Sequence, residues 1–547
     1  MMVNIKPKLF SLLKTYNFKK FKRDFKAGFI VAIIALPLSM AFAMSCGLPP
    51  EQGVYTSIIG GIIVAILGGS RVQIAGPTGA FVMIIQLTTL QYGVTGLVLA
   101  TIMAGGMLII MGVVGVGKFI KYIPSPITTG FTSGIALIIF TSQIVDFLGL
   151  KVAKPQISFI AKWKSYWGAI NTINPTILIV GIITVAFMFI WPKFVKKIPN
   201  SFAVLVLGTA IVFLFKIDIP ILGQISKIPT MPSLSNVNFE LLADLVSPAF
   251  TIALLVAMQA LLSAVVTDGM ISSHHNANSE LVAQGVANIA CGLFGCMPST
   301  GGVARSIANA KNGARSPIAA LVHSVVLLVF MLFLLPIIKF IPRVLLAGII
   351  IHVTYNMFNF KNFFSVFKTT KSDASIMLVT FFLTVIVSLI TAIQVGMIMA
   401  AILLVMRLSD STKVVDITED FEEDENREYI IFSRTKKKIK KEKIIIYEIN
   451  GPFFFGAANA FVSGIKPEMK KAEYFVLRMK HVPFIDMTAY IALNSLYQLC
   501  VDTHTQMIIT NLNEQPRTVL TRQGFIDKLD EKHIYNKLDD AIIALGH

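Results

Sequence analysis

Long apolar runs separated by short polar turns fill this chain up to about residue 408, and shorter runs of strand and helix length follow. A helix needs roughly 20 mostly apolar residues to cross a bilayer. Windows of that kind fall near 27–46, 52–69, 95–115, 125–148, 175–191 and 202–216, and again near 248–270, 280–296, 316–341, 343–358, 373–390 and 393–408. Two further runs, 77–91 and 302–311, are too short to cross. Each half of the pattern thus holds seven predicted spans with the third one short. The short helices start 225 residues apart and the first helices 221 apart, which predicts an internal repeat, about 27–216 and 248–408. An odd number of spans per copy inverts the second copy, and fourteen spans leave both termini on one side.

The two short runs carry the candidate chemistry. Each follows a cluster of Pro, Gly and small hydroxyl residues, Gln73-Ile74-Ala75-Gly76-Pro77-Thr78-Gly79-Ala80-Phe81 in one half and Cys296-Met297-Pro298-Ser299-Thr300-Gly301-Gly302-Val303-Ala304-Arg305-Ser306 in the other. Non-helical backbone at membrane depth is tolerated where it is buried in protein or lines a cavity, and matched breaks in two halves mark a transporter's substrate site. The N-terminus of a half-helix presents unpaired N–H groups and the positive end of the dipole, so two such ends facing each other form a receptor for an anion. The expected donors are the backbone after Pro77 (Thr78, Gly79, Ala80) and after Gly301 (Gly302), with the hydroxyls of Thr78, Ser299 and Thr300. Ser, Thr and Gly also cap ordinary helix starts, so the matched pair carries the argument. Arg305 falls in the first turn of the second half-helix, where an ionisable residue is functional by default; the competing reading is an arginine that snorkels to an interface.

Composition and charge agree with a membrane protein. Of 547 residues 55% are hydrophobic and 14% charged, and the mean hydropathy is +0.73, which excludes an ordinary soluble domain. The net charge of +18 reports topology rather than nucleic-acid binding. Residues 1–26 carry Lys6, Lys8, Lys14, Lys19, Lys20, Lys22, Arg23 and Lys26, which places the N-terminus in the cytoplasm. Basic residues at 118 and 121, 193–197, 311 and 315, and 361–371 fall on the same side. One loop disagrees, with Lys151, Lys154, Lys162 and Lys164 outside. Cys46, Cys291, Cys296 and Cys500 have no paired or metal-binding spacing, and no cofactor or metal is implied.

The tail changes character. Residues 409–443 run from acidic to basic and read as a linker and first hairpin. Residues 444–547 alternate strands (Ile444–Ile449, Tyr474–Met479, Gln506–Thr510) with helices (Ala458–Met469, Thr488–Val501), the pattern of one small α/β domain. No GxxxxGK[ST] motif is present, which argues against an ATP-driven pump.

The stretches Leu36-Pro37-Leu38-Ser39-Met40-Ala41-Phe42-Ala43, Gly53-Val54-Tyr55-Thr56 and Gly76-Pro77-Thr78-Gly79-Ala80-Phe81 resemble the first three helices of the SulP anion permeases. So do Leu262 to Met270, His275 to Leu281 and Gln284 to Asn288 in the second half. The tail resembles their STAS domain through Ile449 to Ala457 and Phe484 to Ala489. The resemblance covers nearly the whole chain. It implies a polytopic α-helical protein with a seven-plus-seven inverted repeat, a core domain with two half-helices moving against a gate domain, a cytoplasmic STAS domain, and commonly a homodimer. It implies a multi-pass protein of the cytoplasmic membrane, with both termini in the cytoplasm and a cytoplasmic protein partner for the STAS domain as a further expectation.

The resemblance also assigns sites. It places Phe42 and Phe81 among the side chains lining the site and a basic residue, Arg305, beside the anion. Many SulP members carry an acid at the position of Leu38 or of Gln259; here one is aliphatic and the other a neutral amide. A carboxylate binds a proton or supports a sodium site, and Gln does neither well, so uncoupled transport or anion exchange is expected, with Ser263 and backbone carbonyls as the residual sodium option. Asp146, Asp268 and Glu280 lie near span ends. His274 and His275 read as turn residues in a solvated or capping role, and His323 and His352 as hydrogen-bonded structural histidines, with a proton-carrying role second. Thr488 matches the position that free-standing STAS relatives phosphorylate, although as a neighbour of Asp486 it also reads as part of a helix cap. Sulfate ranks first as substrate, because the eighth to tenth helices resemble the sulfate and dicarboxylate branch; bicarbonate follows, because Leu38 resembles the bicarbonate type, with C4-dicarboxylates and chloride also open. A membrane sensor signalling through the tail and a nucleobase permease are the rival classes. No nucleophile, metal cluster or acid pair converges to indicate an enzyme.

Overall fold

The computed structural model describes residues 6–118, 124–152, 156, 158–195, 198–223, 226, 239–418, 444–456, 458 and 472–545. They divide into two units, Met1–Met397 and Ile398–His547.

The first unit is helical. In chain order its helices are α1 (Lys8–Leu13), α2 (Phe18–Ser45), α3 (Pro50–Leu67), α4 (Val82–Val114), α5 (Ser125–Leu148), α6 (Phe159–Gly168), α7 (Pro175–Phe194), α8 (Asn200–Leu214), α9 (Phe239–Ile271), α10 (Ala277–Leu293), α11 (Val303–Lys311), α12 (Ile318–Phe333), α13 (Leu335–Ile338), α14 (Arg343–Phe358), α15 (Phe360–Val366), α16 (Lys371–Ile386) and α17 (Leu389–Ser411), the last crossing into the second unit. Among the described residues eight helical segments are long and apolar enough to cross a membrane, and α8 and α12 are shorter apolar helices. Helix occupies each of the fourteen windows read from the sequence. Two of those windows share α4, which breaks at Gly93 where φ is 70°, a left-handed value that only glycine takes without strain.

Several helices outrun their apolar windows. α2 begins at Phe18, where the Asn17 side chain accepts from the Lys20 N–H and caps the first turn. Its basic first turns also carry Phe18, Phe21, Phe25 and Phe29 at helical spacing, with adjacent ring centroids 5.8–6.3 Å apart. Hydropathy registers only the apolar length, so it missed this interfacial extension, and likewise the start of α9 at Phe239. The exceptional basic loop contains α6, in which Lys162 is buried rather than a free loop charge.

Helix packing in this unit is alike in the two halves of the chain. α2 packs on α12 as α9 packs on α4, α3 packs on α12 as α10 packs on α4, and α5 packs on α16 as α14 packs on α7. The α4–α10 crossing is glycine-lined: a Cβ on Gly105 falls 2.6 Å from the Gly285 carbonyl oxygen, and one on Gly285 falls 2.6 Å from that of Gly105. Small residues permit backbones to approach this closely, and close packing drives helix association where lipid removes the hydrophobic driving force. The outer faces of α7, α8 and α17 expose Ile179, Ile183, Ile211, Phe213, Ile398 and Ile402, as expected of surfaces in contact with acyl chains.

The second unit holds a five-stranded sheet in the order β3-β4-β5-β6-β7: β3 (Lys413–Asp416), β4 (Ile444–Asn450), β5 (Tyr474–His481), β6 (Gln506–Thr510) and β7 (Ile534–Tyr535). β3 is antiparallel to β4 and the remaining pairs are parallel. Alternation sends Phe475, Leu477, Met507 and Ile509 to one face, against α18 (Met487–Asp502), and Val476 and Ile508 to the other, against the helix Leu538–Leu545. The strands expected at 444–449, 474–479 and 506–510 and the helix expected at 488–501 are present; the expected helix from Ala458 to Met469 and most of the linker lie outside the described residues. Asp486 caps α18 by accepting from the Ala489 N–H at 2.8 Å, and Thr488 is half-buried in its first turn.

All four cysteines are free and buried, and burial pushes the Cys500 thiol up to about 12. A membrane-impermeant maleimide at pH 8 is therefore expected to leave the native protein unlabelled and to label it after denaturation; rapid labelling of the native chain would contradict this packing.

Candidate functional site

Both sequence breaks are extended, and they pair with each other. β1 (Ala75–Gly76) runs antiparallel to β2 (Thr300–Gly301), with Ala75 opposite Gly301 and Gly76 opposite Thr300. The Gly302 N–H donates to the Ile74 carbonyl at 2.9 Å, the Ile74 N–H to Ser306 Oγ at 3.0 Å, and Asn309 Nδ2 to the Val72 carbonyl at 2.9 Å. Backbone that would be orphaned inside a membrane thus finds partners in the opposite half of the chain. Beyond the crossing each strand turns into a helix: Gly79–Phe81 forms a 3-10 turn leading into α4, and α11 starts at Val303. Ahead of α4 the Phe81 N–H donates to the Thr78 carbonyl at 3.3 Å and the Val82 N–H to the Gly79 carbonyl, so the starts left without an intrahelical acceptor by helix geometry are Gly79 and Ala80 on that side and Val303 to Arg305 on the other.

Arg305 ties the two half-helices together. It is 4% exposed, its Nη2 donates to the Pro77 carbonyl at 2.6 Å, and its Nη1 donates to Ser57 Oγ at 3.2 Å. Ser57 Oγ also bonds Ser39 Oγ at 2.8 Å, and Ser324 Oγ donates to the Ser57 carbonyl at 3.3 Å. A Cβ on Gly76 would fall 2.5 Å from both Arg305 Nη1 and Ser57 Oγ, so glycine is the residue that lets the guanidinium through. Two of the five guanidinium donors are committed to protein atoms, and the side chain still lines the cavity.

That cavity, of about 1490 Å³, has Pro77, Thr78, Gly79, Ala80, Gly302 and Arg305 in its lining. It reaches Lys8, Ser125, Asn200, His274 and Asn362, so it opens on the face that carries the N-terminal segment. Leu38 and Phe42 of α2 wall one side. Away from the mouth it is closed where Gly79 meets the side chains of Ile139 and Phe42. Thr78 Oγ1 donates to Gln259 Oε1 at 2.9 Å, leaving the Gln259 NH2 without a protein partner among the described residues. Among the described residues no group of three or more His, Cys, Asp or Glu side chains is placed to hold a metal ion.

Residues 21–380 match the model of the sulfate permease family, and residues 435–541 match that of the STAS domain. The chain belongs to the sulfate permease family. It is 33% identical over 96% of its length to a putative sulfate transporter, YvdB of Bacillus subtilis, covering 98% of that protein. It is 30% identical over 92% of its length to the bicarbonate transporter BicA of a Picosynechococcus strain, covering 91% of it. Among solved structures, murine Solute Carrier 26 family member A9, an anion transporter in the inward-facing state, superposes with a TM-score of 0.85 at 18% identity, over 98% of this chain and 94% of that one. That likeness establishes the fold, a helical membrane unit followed by a STAS domain. The transmembrane domain of a cyanobacterial BicA superposes with a TM-score of 0.62 at 28% identity, over 69% of this chain and 98% of that one.

Of the residues singled out in this sulfate permease sequence, Phe42, Thr78, Gly79, Ala80, Gln259, Gly302 and Arg305 share the cavity lining. Four others stand behind it. Phe81 is fully buried; the Thr300 hydroxyl donates to the Val256 carbonyl at 3.0 Å; Gly301 lies in β2 against Gln73; and Ser263 is buried with its hydroxyl unpartnered. Ser299 is likewise buried, with its backbone rather than its hydroxyl bonded to Asn288. His275 pairs with Asp268 through both its backbone N–H and its ring, at 2.6 and 2.8 Å, in the turn before α10. The hydrogen-bonded reading of His323 is not met: it is fully buried, and among the described residues neither ring nitrogen has a partner. His352 lines the cavity beside Asn356. Sequence reasoning missed Ser39, Ser57 and the Pro77 carbonyl. Hydroxyls at buried positions of apolar helices were the available signal for the first two.

Proposed function

We propose that this protein moves a small oxyanion, sulfate in the first place, across the cytoplasmic membrane by alternating access, with the anion seated between the N-termini of α4 and α11. The observation that carries this reading is the pairing of the two breaks, which aims both helix starts and Arg305 at one cavity. An oxyanion leaving water needs several donors at once, and backbone N–H groups provide them without a mobile side chain. The Gln259 NH2 and the Thr78 segment extend that donor set. The reading includes a fourteen-span, seven-plus-seven inverted repeat, cytoplasmic termini, an inward-open cavity and a homodimer; the pairwise packing and the antiparallel crossing support the repeat. A similarity to proteins named sulfate transporters supports sulfate. Bicarbonate is the second reading, supported by Leu38 and by the similarity to BicA.

Uptake of labelled sulfate into proteoliposomes, in competition with bicarbonate, chloride and fumarate, tests this. Flux of a competitor without sulfate flux would move the substrate and keep the site, and no flux of any anion would favour a sensor. Coupling has its own test. With no carboxylate at 38 or 259, wild-type flux is expected to stay flat between about pH 5.5 and 8. Gln259→Glu places a titrating acid beside Thr78, so its ionised form repels the anion and flux falls roughly tenfold as pH rises. A variant profile parallel to wild type would remove Gln259 from the site.

A further inference from the structure

The end of the site away from the cavity mouth is closed in two layers. The inner layer is the contact of Phe42, Gly79 and Ile139. One turn farther along α2, about 4.5 Å at 1.5 Å per residue, lies a polar layer. There Gln143 Nε2 of α5 donates to Ser45 Oγ at 2.8 Å, Gln86 Nε2 of α4 donates to the Ser45 carbonyl at 2.6 Å, and Lys162 Nζ of α6 donates to Gln86 Oε1 at 3.1 Å. Ser45, Gln143 and Lys162 are each less than 10% exposed, at 7%, 5% and 7%.

Lys162 is the anomaly in this layer. An ammonium buried to this degree normally pairs with a carboxylate, yet among the described residues Lys162 enters no ion pair. Its one side-chain hydrogen bond goes to a neutral amide. Two of these bonds span helices of different neighbourhoods. α6 packs on α5 and α16 and α4 packs on α9 and α10, so Lys162–Gln86 joins helices that share no packing partner, while Gln143–Ser45 lies where α2, packed chiefly on α3 and α12, also meets α5. A separation of α6 from α4 would break the Lys162–Gln86 bond.

We propose that Lys162 is an anion-recruiting site on the face opposite the cavity mouth, released from Gln86 when that end opens and meeting the incoming oxyanion there. The inference rests on the transport reading given above. The closed arrangement shields the ammonium behind a neutral partner that is easily exchanged; a carboxylate partner would compete with the anion and hold the gate shut. The open arrangement leaves the charge one layer outside the half-helices, on the path into the site. A hydrogen bond from an ammonium to an anion is among the stronger ones available, so losing it weakens loading from that face alone.

The test measures half-saturation for sulfate, or for bicarbonate if sulfate is not carried, in vesicles of both orientations. Lys162→Met is expected to raise the half-saturation concentration about tenfold for anion added on the Lys162 face, to leave the opposite face within about twofold, and to abolish the salt dependence of loading. Lys162→Arg restores loading. Gln86→Leu, which breaks the same bond but keeps the charge, leaves the half-saturation concentration near wild type. Equal changes from both faces, or equal effects of Lys162→Met and Gln86→Leu, would reduce Lys162 to a structural contact and overturn the proposal. A second measurement needs no flux. Acylation of wild-type Lys162 by an impermeant amine reagent on that face should be slowed by the anion, while acylation of exposed Lys164 is not. Protection without flux would sink the transport reading and keep the site; flux without protection would sink the site.

Discussion

Arg305→Ala is expected to abolish anion flux, by at least about 100-fold in half-saturated uptake, while the protein still inserts and elutes as a single species. Two losses add. On the proposed reading the anion loses the guanidinium beside the two half-helix starts, and the Pro77 carbonyl and Ser57 hydroxyl lose donors at 2.6 and 3.2 Å. Removing a charged partner from a buried hydrogen-bonded pair costs about 2–5 kcal/mol, which is the source of the 100-fold figure. Arg305→Lys keeps the charge but has no fork to span Pro77 and Ser57 together, so an intermediate loss of about tenfold is expected. Uptake by Arg305→Ala near the wild-type rate would show that the guanidinium braces the crossing and takes no part in anion binding.

Gly105→Ala and Gly285→Ala are each expected to destabilise the protein by about 3 kcal/mol, and the double variant by little more than one of them. Each new methyl meets the opposing helix backbone at 2.6 Å, and backbone of that kind yields only if α4 and α10 move apart. Once either substitution has separated the axes, the second finds the space already open. Unfolding transitions of the four proteins in one detergent measure the coupling. Additive losses would place the two glycines in independent contacts.

The legibility of this molecule divides along physical lines. Spans were readable because the bilayer imposes a length on apolar runs, and the two paired breaks were readable because Pro77 and Gly301–Gly302 interrupt apolar runs with residues that favour non-helical backbone. Apolar windows did not reveal where helices end, since Asn17 and the basic turns of α2 continue a helix that hydropathy no longer senses. The division of labour inside the break was also hidden. Thr300 and Thr78 are both hydroxyl residues beside a half-helix, yet one donates to the Val256 carbonyl behind the cavity and the other faces Gln259 within it. That difference depends on the antiparallel register of the crossing, which couples positions more than 200 residues apart and leaves no local trace. Arg305 was legible as a buried charge but not as a brace, because its partners are a carbonyl and a serine that no motif marks.

The crossing of β1 and β2 also dictates an order of events during synthesis. Residues 72–77 emerge early, but the atoms that satisfy them, on Gly302, Arg305, Ser306 and Asn309, are made some 225 residues later. At translation rates of about 5–20 residues per second, that interval is roughly 10–45 s. For that time residues 72–77 wait without those partners. The crossing is therefore completed in a single late step, when α11 is delivered, and a ribosome stalled short of residue 302 leaves a nascent chain in which residues 72–77 have none of these partners.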